Sequence, residues 1–252
     1  MIARTVRGRS RRREREPAPD IVYEDGDLIV VDKPARLLTV ATSTEKRRTL
    51  YARVFDYLGR KRPPERVFIV HRLDRDASGL VVLAKSVGVK HALQREFADR
   101  TAGRTYVAVV EGRVGPAERT VRSRLRESAA LKVHSTTRAD DARAAVTHLR
   151  VLRRAQRHTL VEVRLETGRK HQIRAHLAEI GHPIVGDKRY GRAGPLGRLA
   201  LHAATLTFRH PRSGRTMSFG SAPPAAFAGV VRGAARPPFA GRPGNSEPDS
   251  PD

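Results

Sequence analysis

The sequence predicts an α+β fold built on a largely antiparallel mixed sheet that is flanked by helices. Short apolar and β-branched runs are numerous, few segments show helical spacing, and no regular β-α-β alternation indicates a parallel sheet. With 252 residues, of which 39% are hydrophobic, the chain can bury a substantial core. We expect one folded domain over residues 20–232, between a flexible basic tail, 1–19, and a flexible Pro-rich tail, 233–252.

The predicted strands are short apolar runs bounded by turn residues. The first two are joined by Asp25-Gly26-Asp27, which favours a hairpin, and Pro34 ends the second. In chain order the candidates are Ile21–Glu24, Leu28–Asp32, Val67–Val70, Leu80–Ala84, Thr105–Val110, Thr120–Leu125, Ala130–His134, Ala145–Leu152, Thr159–Leu165, Leu201–Phe208 and Thr216–Phe219.

Three segments carry apolar residues at helical spacing. Thr49–Gly59 is the first. A second helix begins after the N-cap candidate Ser86, repeats an apolar residue every four positions and is expected to stop at Gly103. The third spans Lys170–Ile180 and is followed by Gly181, a natural C-terminal stop.

The charge balance indicates a polyanionic partner. The chain has 50 Lys and Arg residues against 26 Asp and Glu residues, a net charge of +24, and most of that excess falls between the two tails. Such an excess attracts phosphates independently of sequence. In the strand predicted around Arg119–Arg126, alternation places Arg122, Arg124 and Arg126 on one face. That face is either a surface for an RNA backbone or an ordinary solvated strand face.

Several function classes are excluded or disfavoured. The chain has no cysteine, which excludes disulfides, thiolate metal sites and cysteine catalysis. No apolar run approaches the roughly 18 residues of a membrane span, and the Arg-dense start lacks the apolar stretch of a signal peptide. We therefore expect a soluble, cytoplasmic protein without a membrane partner.

The segment between the third and fourth predicted strands is the first candidate for chemistry. It places Asp74 between Arg72 and Arg75 in a loop held by two apolar strands, where a rigid scaffold can present a reactive side chain. The flanking guanidinium groups attract a negatively charged carboxylate, which suits a nucleophile or a base. An aspartate that merely bridges arginines at a turn is the structural alternative.

The second candidate is the turn at Gly168 and the helix start that follows it. Backbone N–H groups there, together with Arg169, Lys170 and Arg174, could form an anion site, and Arg174 could reach inward to a carboxylate. His171 and His176 are five residues apart, not four, and no Glu follows His171, so we expect no metal.

Taken together, these stretches resemble the RluA family of RNA pseudouridine synthases. The resemblance covers nearly the whole body of the chain and rests on several motifs in order. These are Asp32-Lys33-Pro34, His71-Arg72-Leu73-Asp74 with Ser78-Gly79-Leu80, Tyr106 with Glu111-Gly112, Thr167 to Arg174, Gly181 to Asp187 with Tyr190-Gly191, Leu201-His202-Ala203 and Phe208 to Pro211.

The resemblance implies a pseudouridine synthase catalytic domain that isomerises uridine in ribosomal or transfer RNA without a cofactor or metal. It implies three catalytic residues. Asp74 isomerises the uridine, Tyr106 packs against the target base and assists the proton transfer at C5, and Arg174 is the basic partner of Asp74. Arg72 would fill the gap left by the flipped nucleotide. Further RNA contacts are expected from Arg75, Arg122, Arg124, Arg126, Arg169, Lys170 and His171. We expect a monomer without an N-terminal S4 domain, since only about 20 residues precede the body.

The sequence departs from the family pattern at two positions. Ala77 and Lys170 stand where the family usually has Thr, and neither change removes a catalytic group. Whether Asp74 attacks C1′ or removes the 2′ proton stays open. Two rival functions also remain: a catalytically silent RNA-binding or ribosome-assembly protein, and a metal-dependent hydrolase that uses His171, His176 and His182.

Overall fold

The computed structural model describes residues 17–128, 132–137 and 141–231 of the chain. In these residues, eleven strands form one mixed sheet and four helices pack on it. Residues 1–16 of the first predicted tail and the whole of the second lie outside the described residues, as do residues 130–131 of the strand predicted over Ala130–His134. None of the described helices has the length and apolarity needed to span a membrane.

The strands match the predicted runs closely, because each run supplies the apolar and β-branched residues that strands favour. They are β1 (Asp20–Glu24), β2 (Leu28–Lys33), β3 (Phe68–Ile69), β4 (Ser78–Ala84), β5 (Gly103–Glu111), β6 (Glu118–Glu127), β7 (Val133–Ser135), β8 (Arg143–Arg154), β9 (His158–Leu165), β10 (Leu201–Arg209) and β11 (Thr216–Gly220).

The strand order is β1-β2-β4-β10-β5-β9-β8-β6-β7, with β11 beside β10 and β3 beside β4. All of these pairs are antiparallel except β4 and β10, which run parallel. The fold is therefore the predicted α+β class with a largely antiparallel mixed sheet. The single parallel pair brings the start of β4, directly after the Asp74 loop, against the start of β10.

The helices are α1 (Leu50–Leu58), α2 (Val87–Ala98), α3 (Gln172–Glu179) and α4 (Ala225–Val230). Thr49 and Ser86 cap α1 and α2 by accepting the backbone N–H of Ala52 and Val89. The predicted stop at Gly103 is wrong: α2 ends at Ala98, and Gly103 begins β5. The left-handed residue after this helix is Arg100, with φ of 62°.

The start of α3 also differs from the prediction. The helix begins at Gln172, not Lys170, because His171 is left-handed with φ of 50°. The Gln172 side chain accepts the backbone N–H of Arg169 at 3.0 Å and the hydroxyl of Thr167 at 2.7 Å. One backbone donor of the predicted anion site is thus engaged by the protein itself.

The main core lies between the sheet and α1, α3 and α4. Leu50, Val54 and Leu58 of α1 pack in one cluster with Ile29 and Val31 of β2. Within the same cluster, Ile173 and Leu177 bury one side of α3, and Phe227 buries α4. This packing holds the loop before β4 and the start of α3 rigidly relative to each other.

Candidate active site

Asp74 and Arg174, which are 100 residues apart in sequence, meet at the centre of the candidate site. Arg174 Nη1 donates to Asp74 Oδ2 at 3.2 Å, and the Asp74 side chain keeps 23% of its surface exposed. A carboxylate that is held by one guanidinium group and still reachable from solvent can act on a bound molecule. The structure thus places the two residues in the contact that the sequence suggested.

Asp187 orients Arg174, and no role for Asp187 was predicted from the sequence. It accepts Arg174 Nε at 2.7 Å and Nη2 at 2.8 Å, and its side chain is fully buried. It also accepts the backbone N–H groups of Arg189 and Tyr190. The Arg174 fork is therefore fixed on one side, so that Nη1 points at Asp74.

Arg174 and Asp187 shift each other's pKa. Burial alone would raise the pKa of Asp187, but the hydrogen bonds and charge of Arg174 lower it. Burial alone would lower the pKa of Arg174, but the carboxylates of Asp187 and Asp74 raise it. The pair is therefore ionised at neutral pH.

His171 lies on the other side of Asp74. Its Nε2 is 3.8 Å from Asp74 Oδ1, and its Nδ1 is 3.2 Å from the hydroxyl of Tyr190. Burial lowers the pKa of His171, and the nearby cations Arg174, Lys170 and Arg189 add to that effect against the opposing charge of Asp74. A neutral imidazole at neutral pH follows from this environment.

Lys33 supports the Asp74 loop from beneath, and it too was missed as a site residue. This fully buried side chain points its Nζ at the carbonyl oxygens of Leu37, Arg75 and Ala77, at 2.6 to 3.2 Å. Burial lowers the pKa of Lys33 to about 7. Position in the Asp32-Lys33-Pro34 motif was the only sequence signal for it.

Gly79 lets the loop approach β10. Its φ is 111°, and a Cβ at this position would lie 2.3 Å from the carbonyl oxygen of Ala203. Only glycine fits both the backbone angle and the space. The start of β4 therefore lies directly against β10.

Two cavities meet at Asp74. A wide cleft of about 1070 Å³ is lined by nine Lys and Arg residues against three Asp residues. A smaller pocket shares Arg72, Asp74 and Arg174 with the cleft and continues to Tyr106, Leu201 and Ile173. The nine cations of the cleft are Arg36, Arg72, Arg75, Lys132, Lys170, Arg174, Lys188, Arg189 and Arg198.

Tyr106 stands in the wall of the smaller pocket. It is 7% exposed, and burial raises its pKa, with the charge of Asp74 acting in the same direction and Arg104 against it. Its phenol is therefore protonated at neutral pH. A flat, uncharged ring beside a carboxylate suits contact with a nucleobase.

The other predicted site residues divide between the two cavities and the far side of the sheet. Arg72 and Arg75 are exposed at the cleft, Lys170 lies there too and is paired with Glu127, and Arg169 lines the smaller pocket. Arg122, Arg124 and Arg126 share one exposed strand face, as predicted.

That arginine face points away from the cleft. The intervening Ser123 bonds His176 of α3 at 2.9 Å, so the alternate residues of β6 lie on the opposite side of the sheet from α3. Two of the three also have protein partners, because Arg124 donates to the carbonyl oxygen of Ala142 and Arg126 pairs with Asp141. The three do not line the cavity that holds Asp74.

One further acidic group lies elsewhere in the part of the chain that the structure describes. Asp25, Asp27 and His210 come together at the end of β2 opposite to Lys33. Arg212 pairs with Asp27 through two hydrogen bonds of 2.6 Å, and His210 Nε2 donates to Asp25 at 2.9 Å. These groups tie the β1–β2 turn to the β10–β11 turn.

Comparisons with known proteins identify the family of the chain. Residues 27–179 match the family model described as RNA pseudouridylate synthase. The chain is 38% identical over 215 residues to ribosomal large subunit pseudouridine synthase D of Neisseria meningitidis serogroup B, covering 80% of this chain and 57% of that protein. It is 36% identical over 227 residues to the protein of the same name in Nitrosomonas europaea, covering 84% and 64%.

Another relative and a solved structure extend the comparison. The uncharacterized RNA pseudouridine synthase YlyB of Bacillus subtilis is 38% identical over 210 residues, covering 79% of this chain and 67% of that protein. The structure of human RNA pseudouridylate synthase domain containing 4 superposes with a TM-score of 0.68 at 25% identity, over 83% of this chain and 90% of that one. The chain thus spans well under two thirds of the length of the first of these relatives. The segment that matches the family model includes both Asp74 and Arg174. The chain belongs to the RNA pseudouridylate synthase family, within the RluA group that its motifs resemble.

Proposed function

We propose that the chain isomerises uridine to pseudouridine in structured RNA, acting as a monomer with Asp74 as the catalytic carboxylate. The single observation that carries the proposal is the position of Asp74, where a small pocket opens into a basic cleft and Arg174 holds the carboxylate at 3.2 Å. Because two relatives carry names of large-subunit ribosomal enzymes, ribosomal RNA is the first substrate class to test, ahead of transfer RNA.

The two cavities suit the two parts of a nucleotide. The excess of cations along the cleft attracts the phosphate backbone of RNA. A target base in a stem must leave its stack to reach the smaller pocket, which costs a few kcal/mol. Tyr106 and the apolar walls of that pocket can stack with the extruded base, and the exposed Arg72 at the junction can occupy the gap left in the RNA.

The chemistry requires a carboxylate at the ribose. Asp74 either attacks C1′ or removes the proton from C2′, and the C1′–N1 bond breaks with its electron pair leaving on the uracil ring. The ring turns and C5 bonds to C1′, while the Asp74–C1′ bond breaks in the first route or C2′ regains its proton from Asp74 in the second. C5 then loses its proton and N1 gains one. Arg174, fixed by Asp187, keeps Asp74 oriented through these steps.

The test is the substitution Asp74→Asn, which preserves size but removes the negative charge. We expect no pseudouridine formation on ribosomal RNA transcripts, with RNA affinity close to that of the unmodified chain. Asp56→Asn, at an exposed position of α1, is the matched control and should keep full activity. Retained turnover in Asp74→Asn would contradict the catalytic assignment.

The substrate is best identified in cells. Pseudouridines mapped with a carbodiimide probe in RNA with and without this gene should differ at specific uridines, and the vanished sites name the RNA. If no site vanishes and purified protein binds RNA without modifying it, the silent RNA-binding alternative replaces the proposal.

A further inference from the structure

Arg104 has an unusual environment in the smaller pocket. It stands on β5, two residues before Tyr106, and its Nε is buried without a hydrogen-bond partner. Within residues 17–128, 132–137 and 141–231, no hydrogen bond or ion pair engages its guanidinium group. A buried guanidinium N–H group without a hydrogen-bond partner is costly, so a bound ligand is the natural source of that partner.

The neighbouring residues hold Arg104 in place without neutralising it. Its Cζ lies 5.1 Å from the ring centroid of Phe97, and its guanidinium group faces Gly168. A Cβ on Gly168 would lie 2.6 Å from Nη1 of Arg104, so the glycine makes the room for the guanidinium group. His71 stacks on the same Phe97 ring, and burial lowers its pKa to about 3, so it carries no competing charge.

The charge of Arg174 is already neutralised by carboxylates, whereas the charge of Arg104 is not. Arg174 pairs with both Asp187 and Asp74, so these three groups together carry one negative charge. Arg72 and Arg169 also line the pocket, but both are exposed to solvent. Arg104 is the half-buried cation of the pocket whose charge is not offset by a carboxylate.

We propose that Arg104 binds the uracil ring and stabilises the negative charge that the ring acquires when the C1′–N1 bond breaks. The inference rests on the proposed function and adds a residue to it. The bonding pair leaves on N1 and is delocalised onto O2 and O4, whether C1′ is taken up by Asp74 or by a double bond to C2′. A guanidinium group can donate to either carbonyl oxygen and is strongest in a water-poor pocket. When C5 bonds to C1′ and its proton is replaced by one at N1, the ring is neutral again.

A phosphate contact is the competing role for a free arginine, and the position of Arg104 disfavours it. Arg104 does not line the wide cleft, where the other cations line a path for the backbone. It lines the smaller pocket together with Tyr106, Leu201 and Ile173, which suit a base. We therefore assign it to the base.

The experiment compares Arg104→Gln and Arg104→Lys with the unmodified chain under single-turnover conditions on RNA that the unmodified chain modifies. Arg104→Gln should lower the rate at saturating enzyme about 100-fold with little change in Kd for the RNA, and Arg104→Lys should recover part of that loss. Arg95→Gln, on the exposed side of α2, is the control for loss of one positive charge and should keep the full rate.

A second substrate separates charge stabilisation from a structural effect. Fluorine at C5 withdraws electrons and makes uracil a better leaving group, so RNA with 5-fluorouridine at the target needs less help from a cation. The fold-loss of C1′–N1 cleavage caused by Arg104→Gln should shrink on this RNA. Gly168→Ala, which displaces the guanidinium group, should lower the rate on uridine in the same direction as Arg104→Gln.

The outcomes are distinct. An unchanged rate in Arg104→Gln, a weakened Kd with an unchanged saturating rate, or an equal fold-loss on both RNAs would each overturn the inference; the second would show a phosphate contact instead. If the unmodified chain itself forms no pseudouridine on any RNA offered, the proposed function fails rather than the role of Arg104. Melting curves of each variant confirm that the compared proteins are folded.

Discussion

The buried pair of Arg174 and Asp187 yields a sharp prediction about stability. Asp187→Asn keeps the shape of the side chain but removes its charge and places an amide N–H against the Arg174 guanidinium group. Two hydrogen bonds of 2.7 and 2.8 Å join these side chains in the folded protein. The Asp187 side chain is 0% exposed, so water cannot replace these hydrogen bonds when they are lost. Breaking a buried pair typically costs about 3–5 kcal/mol.

The magnitude for this site lies at the lower end of that range. Asp74 remains 3.2 Å from Arg174 and offsets part of the uncompensated charge. We expect the free energy of unfolding to fall by about 3 kcal/mol, which corresponds to roughly 6–12 °C in Tm for a domain of this size. The pKa of Asp187 is lowered in the folded protein, so its carboxylate stabilises the fold at pH values above the ordinary pKa of an aspartate, near 4. The difference in stability between the unmodified chain and Asp187→Asn should therefore be full at neutral pH and shrink as the pH falls below that value.

The assay is urea unfolding followed by circular dichroism at pH 7. Glu162→Gln is the matched control, because Arg150 and Glu162 also form a two-bond pair, at 2.9 and 3.1 Å, while the Arg150 side chain is 53% exposed. We expect the control to lose about 1 kcal/mol or less. A loss below about 1 kcal/mol in Asp187→Asn, or strict additivity with Arg174→Gln in the double variant, would show that Asp187 and Arg174 do not stabilise the fold as a buried pair.

Two further predictions concern the arginine face of β6 and the pH dependence of folding. Replacing Arg122, Arg124 and Arg126 by Gln should lower the slope of log affinity against log salt by about two units if RNA reaches this face, since each phosphate contact adds about 0.7–0.9, and the saturating single-turnover rate should not change. An unchanged slope would identify a solvated strand face. Burial lowers the pKa of His71 to about 3, and its Nε2 accepts the backbone N–H of Val82, so the unfolded chain takes up a proton from about pH 6.5 downward while the folded chain does not. Through this residue, the free energy of unfolding should therefore fall by about 3 kcal/mol between pH 7 and pH 4. Urea titrations of His71→Gln should show a correspondingly flatter dependence of stability on pH, whereas those of the exposed His91→Gln should not. Equal pH dependence in the unmodified chain and in both variants would contradict the assignment.

Much of the fold could be predicted because side-chain direction repeats locally along the backbone. Short apolar and β-branched runs located the strands, and spacing of three and four residues located α1, α2 and most of α3. The prediction failed for α4, whose six residues from Ala225 to Val230 are too short to show a helical period. It also failed at His171, where a non-glycine residue takes the left-handed conformation that α3 needs at its start.

The site was predicted in part, and the site residues that were not predicted were missed for one physical reason. Asp74, Tyr106 and Arg174 stand in motifs that the sequence displays. Asp187 and Lys33 act through contacts whose partners lie on other segments, such as the carbonyl oxygens of the Asp74 loop for Lys33, and Arg104 is distinguished by a buried Nε without a partner. A buried charge is recognisable only once burial is known, because the same residue letter describes a solvated surface group.

The amino-acid sequence was sufficient to locate the strands, three of the four described helices, the positive charge, the family motifs and the candidate carboxylate Asp74. Tertiary structure alone decided which charges meet. It brought Asp74 to Arg174 across 100 residues, turned Arg174 by means of Asp187, and left Arg104 unpaired beside Tyr106. It also sent the arginines of β6 to the far side of the sheet. Periodicity is a local property of the chain, whereas strand order and the burial of a charge depend on how distant segments pack.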